Sequence, residues 1–312
     1  MASLPVTRDD VERAAHVIDG RLHRTPTLSS RTLGRDVSLK AELLQRTGSF
    51  KPRGVLTKLE SLTTEEKNRG VIAISAGNHA QAVAWAAREE GIDALVVMYQ
   101  SASEAKIAGT REYGAAVDLE AADPAEAFAR LDVLLEETSR TLVHPFDDPH
   151  TIAGQGTVGL EILEDVPDAE TIVVPIGGGG LIAGIAVAAA GRARVVGVEP
   201  ELSTALHSAL AAGERVEVTP TSVADGLNAP HAGGNALAIA QELVEEVVLV
   251  SEEEIEEGFR FLYERAKLAC EPAGAASVAA LLAGKVDGGR TVCVVSGGNV
   301  AAETAAAILA SR

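Results

Sequence analysis

Short runs rich in Val, Ile and Ala alternate along this chain with longer stretches whose apolar positions recur at helical spacing. Val71 to Ile74, Ala94 to Met98 and Ala115 to Leu119 read as strands. The segments Asn78 to Glu90, Glu104 to Tyr113 and Pro124 to Thr138 read as the helices that follow them. A second series begins at Thr171. Thr171 to Ile176, Arg194 to Glu199, Val247 to Val250 and Thr291 to Val295 are its strands. Leu181 to Ala190, Glu252 to Lys267 and Pro272 to Ala283 are its helices. Alternation of this kind predicts an α/β fold with parallel sheets covered on both faces. The segment His144 to His150, with Pro145 and Pro149, is a candidate hinge between the two series. Val218 to Asn235, rich in Pro, Gly and Ala, reads as a long and functional loop.

Composition narrows the picture. A length of 312 residues suits two lobes or one large α/β domain. The net charge of −18 repels phosphate backbones, so nucleic acid is not expected as a partner. The acidic run from Glu252 to Glu257 fits the exposed start of a helix, where carboxylates complement the dipole. Cys270 and Cys293 are too few and too separate for a disulfide framework or a zinc site, and read as core thiols in a reducing compartment. The N-terminus has no positive region leading into an apolar stretch, so no signal peptide is expected. No apolar run is long enough to span a bilayer, and the expected location is the cytoplasm.

Chemistry should lie where strands end and helices begin. Three glycine-bearing turns occupy such places. Ile74-Ser75-Ala76-Gly77-Asn78-His79 offers backbone amides to an anion, or is a plain turn capped by Asn78. Gly177, Gly178, Gly179 and Gly180, followed by Leu181, are more glycines than a structural turn needs. They suit a backbone wrapped closely around a phosphate. Val295-Ser296-Gly297-Gly298-Asn299 places a hydroxyl at a third strand end, and a helix is expected to open there. A dinucleotide reading competes at the second turn. Gly178, Gly180 and Ala183 match a relaxed G-x-G-x-x-A spacing, with Glu199 placed for a ribose. An NAD-binding oxidoreductase is therefore the alternative from a different class.

Gly48-Ser49-Phe50-Lys51-Pro52-Arg53-Gly54 alters the balance. A lysine at a helix start is mildly unfavourable while charged, but a Schiff-base lysine is neutralised when it loads its cofactor. Ser-Phe-Lys-x-Arg-Gly, Ser-Ala-Gly-Asn-His-Ala-Gln, Gly-Gly-Gly-Gly-Leu and Ser-Gly-Gly-Asn stand here in one order over essentially the whole chain. In this the sequence resembles the fold-type II pyridoxal 5'-phosphate (PLP) enzymes, in the branch of threonine and serine dehydratases and serine racemases. Ala153 to Thr157, Gly197 to Pro200 and Glu271-Pro272 extend the likeness.

The resemblance implies a tryptophan synthase β-like fold: two open parallel-sheet lobes with the cofactor between them. Residues 1–52 and 145–312 would form the large PLP-binding domain, and 53–144 the small one. It implies that Lys51 holds PLP as a Schiff base and then acts as the base at Cα. Phe50 would pack against the cofactor, Asn78 would bond its ring hydroxyl, and Ser296 would meet the pyridine nitrogen. Gly177 to Gly180 with Leu181 would cradle its phosphate. Ser75, Ala76, Gly77, Asn78 and His79 would form the pocket for the substrate α-carboxylate. Gln155 and the loop Ala224 to Asn228 would face the substrate side chain.

The implied reaction is β-elimination from a β-hydroxy amino acid, L-threonine or L-serine first, giving a 2-oxo acid and ammonia. A neutral serine at the pyridine nitrogen moderates the electron sink and favours elimination. Serine racemases place a second serine where this chain has Ala76, which cannot take a proton. Racemisation and threo-3-hydroxyaspartate ammonia-lyase activity are the alternatives within the branch. Some members bind a divalent cation beside the residue matching Glu199, with a second acid where this chain has Ala205, so no metal is expected. With the chain ending at Arg312, a regulatory domain is not expected, and a homodimer or dimer-based tetramer is.

Overall fold

The computed structural model describes residues 4–287 and 289–311. The chain opens with α1 (Arg8–Ile18), β1 (Thr27–Ser29) and β2 (Val37–Ala41). Next come α2 (Lys51–Glu60), α3 (Thr64–Arg69), β3 (Val71–Ile74), α4 (Asn78–Glu89), β4 (Ala94–Tyr99), α5 (Glu104–Glu112), β5 (Ala116–Ala121), α6 (Pro124–Thr138) and β6 (Thr141–Leu142). The remainder holds α7 (Pro149–Asp165), β7 (Thr171–Pro175), α8 (Gly180–Ala189), β8 (Arg194–Pro200), α9 (Ala205–Ala212), α10 (Gly234–Leu243) and β9 (Glu246–Val250). It ends with α11 (Glu252–Phe261), α12 (Pro272–Leu282), β10 (Thr291–Val295) and α13 (Ala302–Ala310).

The strands form two sheets. The larger runs β1-β2-β10-β7-β8-β9 and the smaller β5-β4-β3-β6. Among the described residues, all strand pairings are parallel except β1 with β2, so the predicted α/β class is the observed one. β7 and β10 are buried along their whole length, which is why they read as unbroken apolar runs. Polar side chains set the helix starts. Asp148 accepts from the amides of His150 and Thr151 at α7, and Ser251 with Glu254 makes a capping box at α11.

Position in the sheet matters more to function than position in the chain. β10 comes last among the strands but lies between β2 and β7. It brings Ser296 to Phe50, whose amide donates to the Ser296 carbonyl at 3.2 Å, while Gly298 N–H donates to Gly48 O at 2.9 Å. The lysine-bearing segment and the third glycine turn are thereby stitched together.

Three expectations need correction. The third glycine turn does not open a helix directly, because an isolated bridge from Ser49 to Gly297 holds it extended and α13 starts only at Ala302. Asn78 is not a cap: Gly77 holds the N-cap position of α4, and Asn78 is the first helical residue. The helix expected from Glu252 to Lys267 is α-helical only to Phe261. A π-helical turn, Leu262–Ala266, follows, and Lys267 closes it at φ 60°. That turn redirects the chain so that Leu268 enters the core and Glu271 reaches the cleft.

Candidate active site

A cleft of about 990 Å³ opens between the two sheets. The turns after β3, β7 and β10 all deliver residues to it, and Lys51 enters from the start of α2. Phe50, Lys51, Ser75 to His79, Gln155, Gly177 to Leu181 and Ser296 all line this one space, as do Asp225 to Asn228 of the expected side-chain loop, whereas Ala224 is buried in the core instead.

Lys51 keeps a partly exposed side chain, yet protein atoms crowd its amine. Nζ donates to the Pro145 carbonyl at 2.9 Å and lies 5.1 Å from the centre of the Phe50 ring. Burial pulls its pKa down to about 8, against an upward pull from Glu271. A larger share of neutral amine, able to act as nucleophile or base, is therefore present near neutral pH.

The turn after β7 is closed on every side but the cleft. Gly179 adopts φ 92°, and no side chain caps α8. A Cβ on Gly178 would lie 2.3 Å from the Phe146 ring, and one on Gly180 would lie 2.7 Å from Gln155 Oε1 and from the Phe146 carbonyl. The opening amides of a ten-residue helix thus face the cleft with no side chain between. Gln155, 1% exposed, has both side-chain polar atoms without a protein partner among the described residues. A glycine cradle, an uncapped helix and an orphaned buried amide fit a bound phosphate-bearing group.

The turn after β3 is open. Gly77 would place a Cβ within 4 Å of nothing. Ser75 Oγ accepts from Gly77 N–H at 3.1 Å, so this hydroxyl braces the turn. His79 Nε2 donates to the Val143 carbonyl at 2.8 Å, which leaves Nδ1 buried without a partner among the described residues. Burial and the Lys51 charge push its pKa down to about 3. His79 is therefore a neutral residue, and its ring brings no charge to a carboxylate.

Asn78 is held from two sides. Its Nδ2 donates to Glu271 Oε1 at 2.7 Å, and its Oδ1 accepts from Asn299 Nδ2 at 2.8 Å. One Nδ2 hydrogen remains for a ligand. Glu271 is 4% exposed, and burial with the nearby Asp225 raises its pKa to about 7. Sequence reasoning noted Glu271 and Asn299 within motifs but gave them no role. It missed His144, Phe146 and Lys106 at the cleft, and placed Asp225 there only as part of the loop Ala224 to Asn228. Lys106 and Asp225 stand 119 positions apart, and no local pattern marks them.

Glu199 is unavailable to a ribose. Its two oxygens accept from the Leu206 and His207 amides, both at 2.8 Å, at the start of α9. Burial lifts its pKa to about 7.

Comparison with known proteins decides the cofactor class. The family described as "pyridoxal-phosphate dependent enzyme" matches residues 16–297. The chain belongs to this family. It is a PLP enzyme, and the dinucleotide reading falls. The chain is 45% identical over 306 residues to an L-threonine ammonia-lyase of Thermotoga maritima, covering 95% of this chain and 76% of the relative. It is 43% identical over 310 residues to the catabolic L-threonine dehydratase TdcB of Escherichia coli, covering 95% and 94%. Its backbone superposes on maize serine racemase with a TM-score of 0.92 at 35% identity, covering 96% and 95%. The fold is thus shared by lyases and racemases, and the choice between them rests on side chains. Among the described residues, no helix is long and apolar enough to cross a membrane.

Proposed function

We propose that this enzyme deaminates a β-hydroxy amino acid, L-threonine first, by loss of water followed by hydrolysis, and releases a 2-oxo acid and ammonia. The observation that carries the reading is Ala76. The reacting Cα would meet Lys51 on one side and a methyl group in the Ala76 turn, so a second side-chain base is missing there. The threonine lyases among the relatives support the same substrate.

When bound, PLP supplies a conjugated electron sink that acidifies the amino acid Cα–H. Lys51 is the residue that would hold it, and Gly177 to Gly180 with Leu181 would receive its phosphate. Ser296 would accept or donate at the ring nitrogen, Asn78 would bond the ring hydroxyl, and Phe50 would pack beside it. Lys51 Nζ then takes the Cα proton. The amides of the Ala76 to His79 turn orient the α-carboxylate, with Ser75 bracing the turn. Gln155 faces the β-substituent. Loss of the β-hydroxyl as water leaves an enamine, whose imine tautomer is hydrolysed to 2-oxo acid and ammonia.

Racemisation remains the second reading because the maize racemase shares the backbone. The hydroxyaspartate reading is weaker. Among the described residues, the cleft cations other than Lys51 each have a carboxylate partner: Lys106 with Asp225, and Arg215 with Glu217 at 2.6 Å. As part of the same proposal, lobes 53–144 and 1–52 with 145–312 close on the amino acid. A homodimer or dimer-based tetramer in the cytoplasm follows from the family resemblance, and light scattering reads the oligomer.

The test is 2-oxo acid release from L-threonine by the holoenzyme and by Lys51→Ala. The variant should lose the yellow absorbance and turn over more slowly by on the order of a thousandfold. Retained activity refutes Lys51 as base. A yellow parent that releases no 2-oxo acid refutes the elimination.

A further inference from the structure

One feature of the cleft is unaccounted for by elimination itself. Lys106 on α5, in the smaller lobe, reaches across to Asp225, on the 3-10 turn Asp225–Leu227 of the larger. That turn abuts the glycine loop: a Cβ on Gly177 would lie 3.3 Å from Gly226 O and from Leu227 Cα. It also approaches Glu271, whose Oε1 would stand 3.6 Å from a Cβ on Gly226. The ion pair therefore hangs over the same space that Lys51 and Gln155 face.

Both side chains are accessible, at 32% and 59% exposure. Lys106 has no second carboxylate in contact among the described residues. The other acid close enough to act on it, Glu271, is engaged by Asn78. Among the described residues, the Asp225 carboxylate accepts no other hydrogen bond. Its charge serves Lys106 and is not needed to hold the turn.

We propose that Asp225 is a specificity-determining residue, whose carboxylate masks the Lys106 ammonium and so selects against substrates with a second carboxylate. This inference rests on the amino-acid reading of the site. A substrate with an uncharged β-substituent meets a neutral pair. A dicarboxylic amino acid meets the repulsion of Asp225 and finds no unpaired cation to offset it. Asp225→Asn removes the repulsion and leaves Lys106 free, with the shape of the turn unchanged.

The test compares binding of L-aspartate and L-2-aminobutyrate to the holoenzyme by calorimetry. Neither carries a β-leaving group, so affinity is read without elimination. Asp225→Asn should improve the Kd for L-aspartate relative to L-2-aminobutyrate by about fivefold, as for a half-exposed charge pair. The double variant Asp225→Asn with Lys106→Met should return the ratio to that of the parent. A ratio that does not rise in the single variant overturns the inference, as does a gain that persists in the double one. Thermal melting of each variant confirms that the fold is kept. Failure of the parent to release 2-oxo acid from L-threonine would sink the elimination reading, while the Kd ratios would still judge Asp225.

Discussion

The turn after β7 and the turn after β3 are built alike in outline: strand, glycine, helix. They differ in what surrounds the glycine. At Gly178 a methyl group would strike the Phe146 ring at 2.3 Å, and Gly179 sits at φ 92°, where side chains are strained. At Gly77 the same methyl group would touch nothing within 4 Å. The first turn has its shape fixed by the protein on every side but the cleft. The second is left empty by the protein. A closed turn suits the part of the ligand that never changes, the cofactor phosphate. An open turn suits the part that comes and goes, the amino acid.

Two substitutions test that contrast with the same added atom. Gly178→Ala should be the more damaging. The methyl group must displace Phe146 or the loop, an overpacking cost of about 3 kcal/mol at the upper end. Cofactor affinity should fall on the order of a hundredfold, read as the PLP concentration needed to restore the yellow absorbance. Unchanged affinity would show that the loop is slack. Gly77→Ala should leave the melting temperature alone, because nothing is struck and φ −149° lies outside the left-handed region. It should weaken the amino acid instead. Losing one charge-assisted hydrogen bond costs about 2 kcal/mol, so KM for L-threonine should rise roughly thirtyfold with kcat little changed. A fall in stability rather than affinity would mean that the open turn is not a ligand pocket.

The sequence reveals the closed turn more readily than the open one. Four glycines in a row have few explanations, and close approach is one of them. A single glycine at position 77 has many. Strands such as Thr291 to Val295 are legible because burial on both faces demands an apolar run. α7 escaped notice for a related reason. Gly154, Gly156 and Gly159 argue locally against a helix, but tertiary packing requires them. A Cβ on Gly154 would lie 2.3 Å from the Arg53 carbonyl of α2, and one on Gly156 would lie 2.7 Å from Gly184 O of α8. The motif residues were legible as a set because their order along the chain was diagnostic. Their partners were not. Glu271 reaches Asn78 only through the π-helical redirection after Phe261, and Lys106 meets Asp225 only because two sheets face each other.

Ala76 offers the finest probe of the open turn. It lies on the cleft wall, partly exposed, between Ser75 and Gly77. Racemases of the family place a serine here, as a base on the face of Cα opposite the lysine. If the turn is a pocket with room to spare, Ala76→Ser adds a hydroxyl at little structural cost. Elimination from L-threonine should stay within about twofold of the parent, since Lys51, Gly77 and the glycine loop are untouched. D-Serine should appear from L-serine about tenfold faster than in the parent. That lies below the roughly hundredfold or greater gain of a fully supported acid-base group, because no neighbour is arranged to tune the new hydroxyl. Chiral chromatography of the amino acid pool reads it. If D-serine stays at the parent level while elimination is unharmed, the Ala76 side chain does not face Cα. The absence of a second base would then cease to explain why this cleft eliminates.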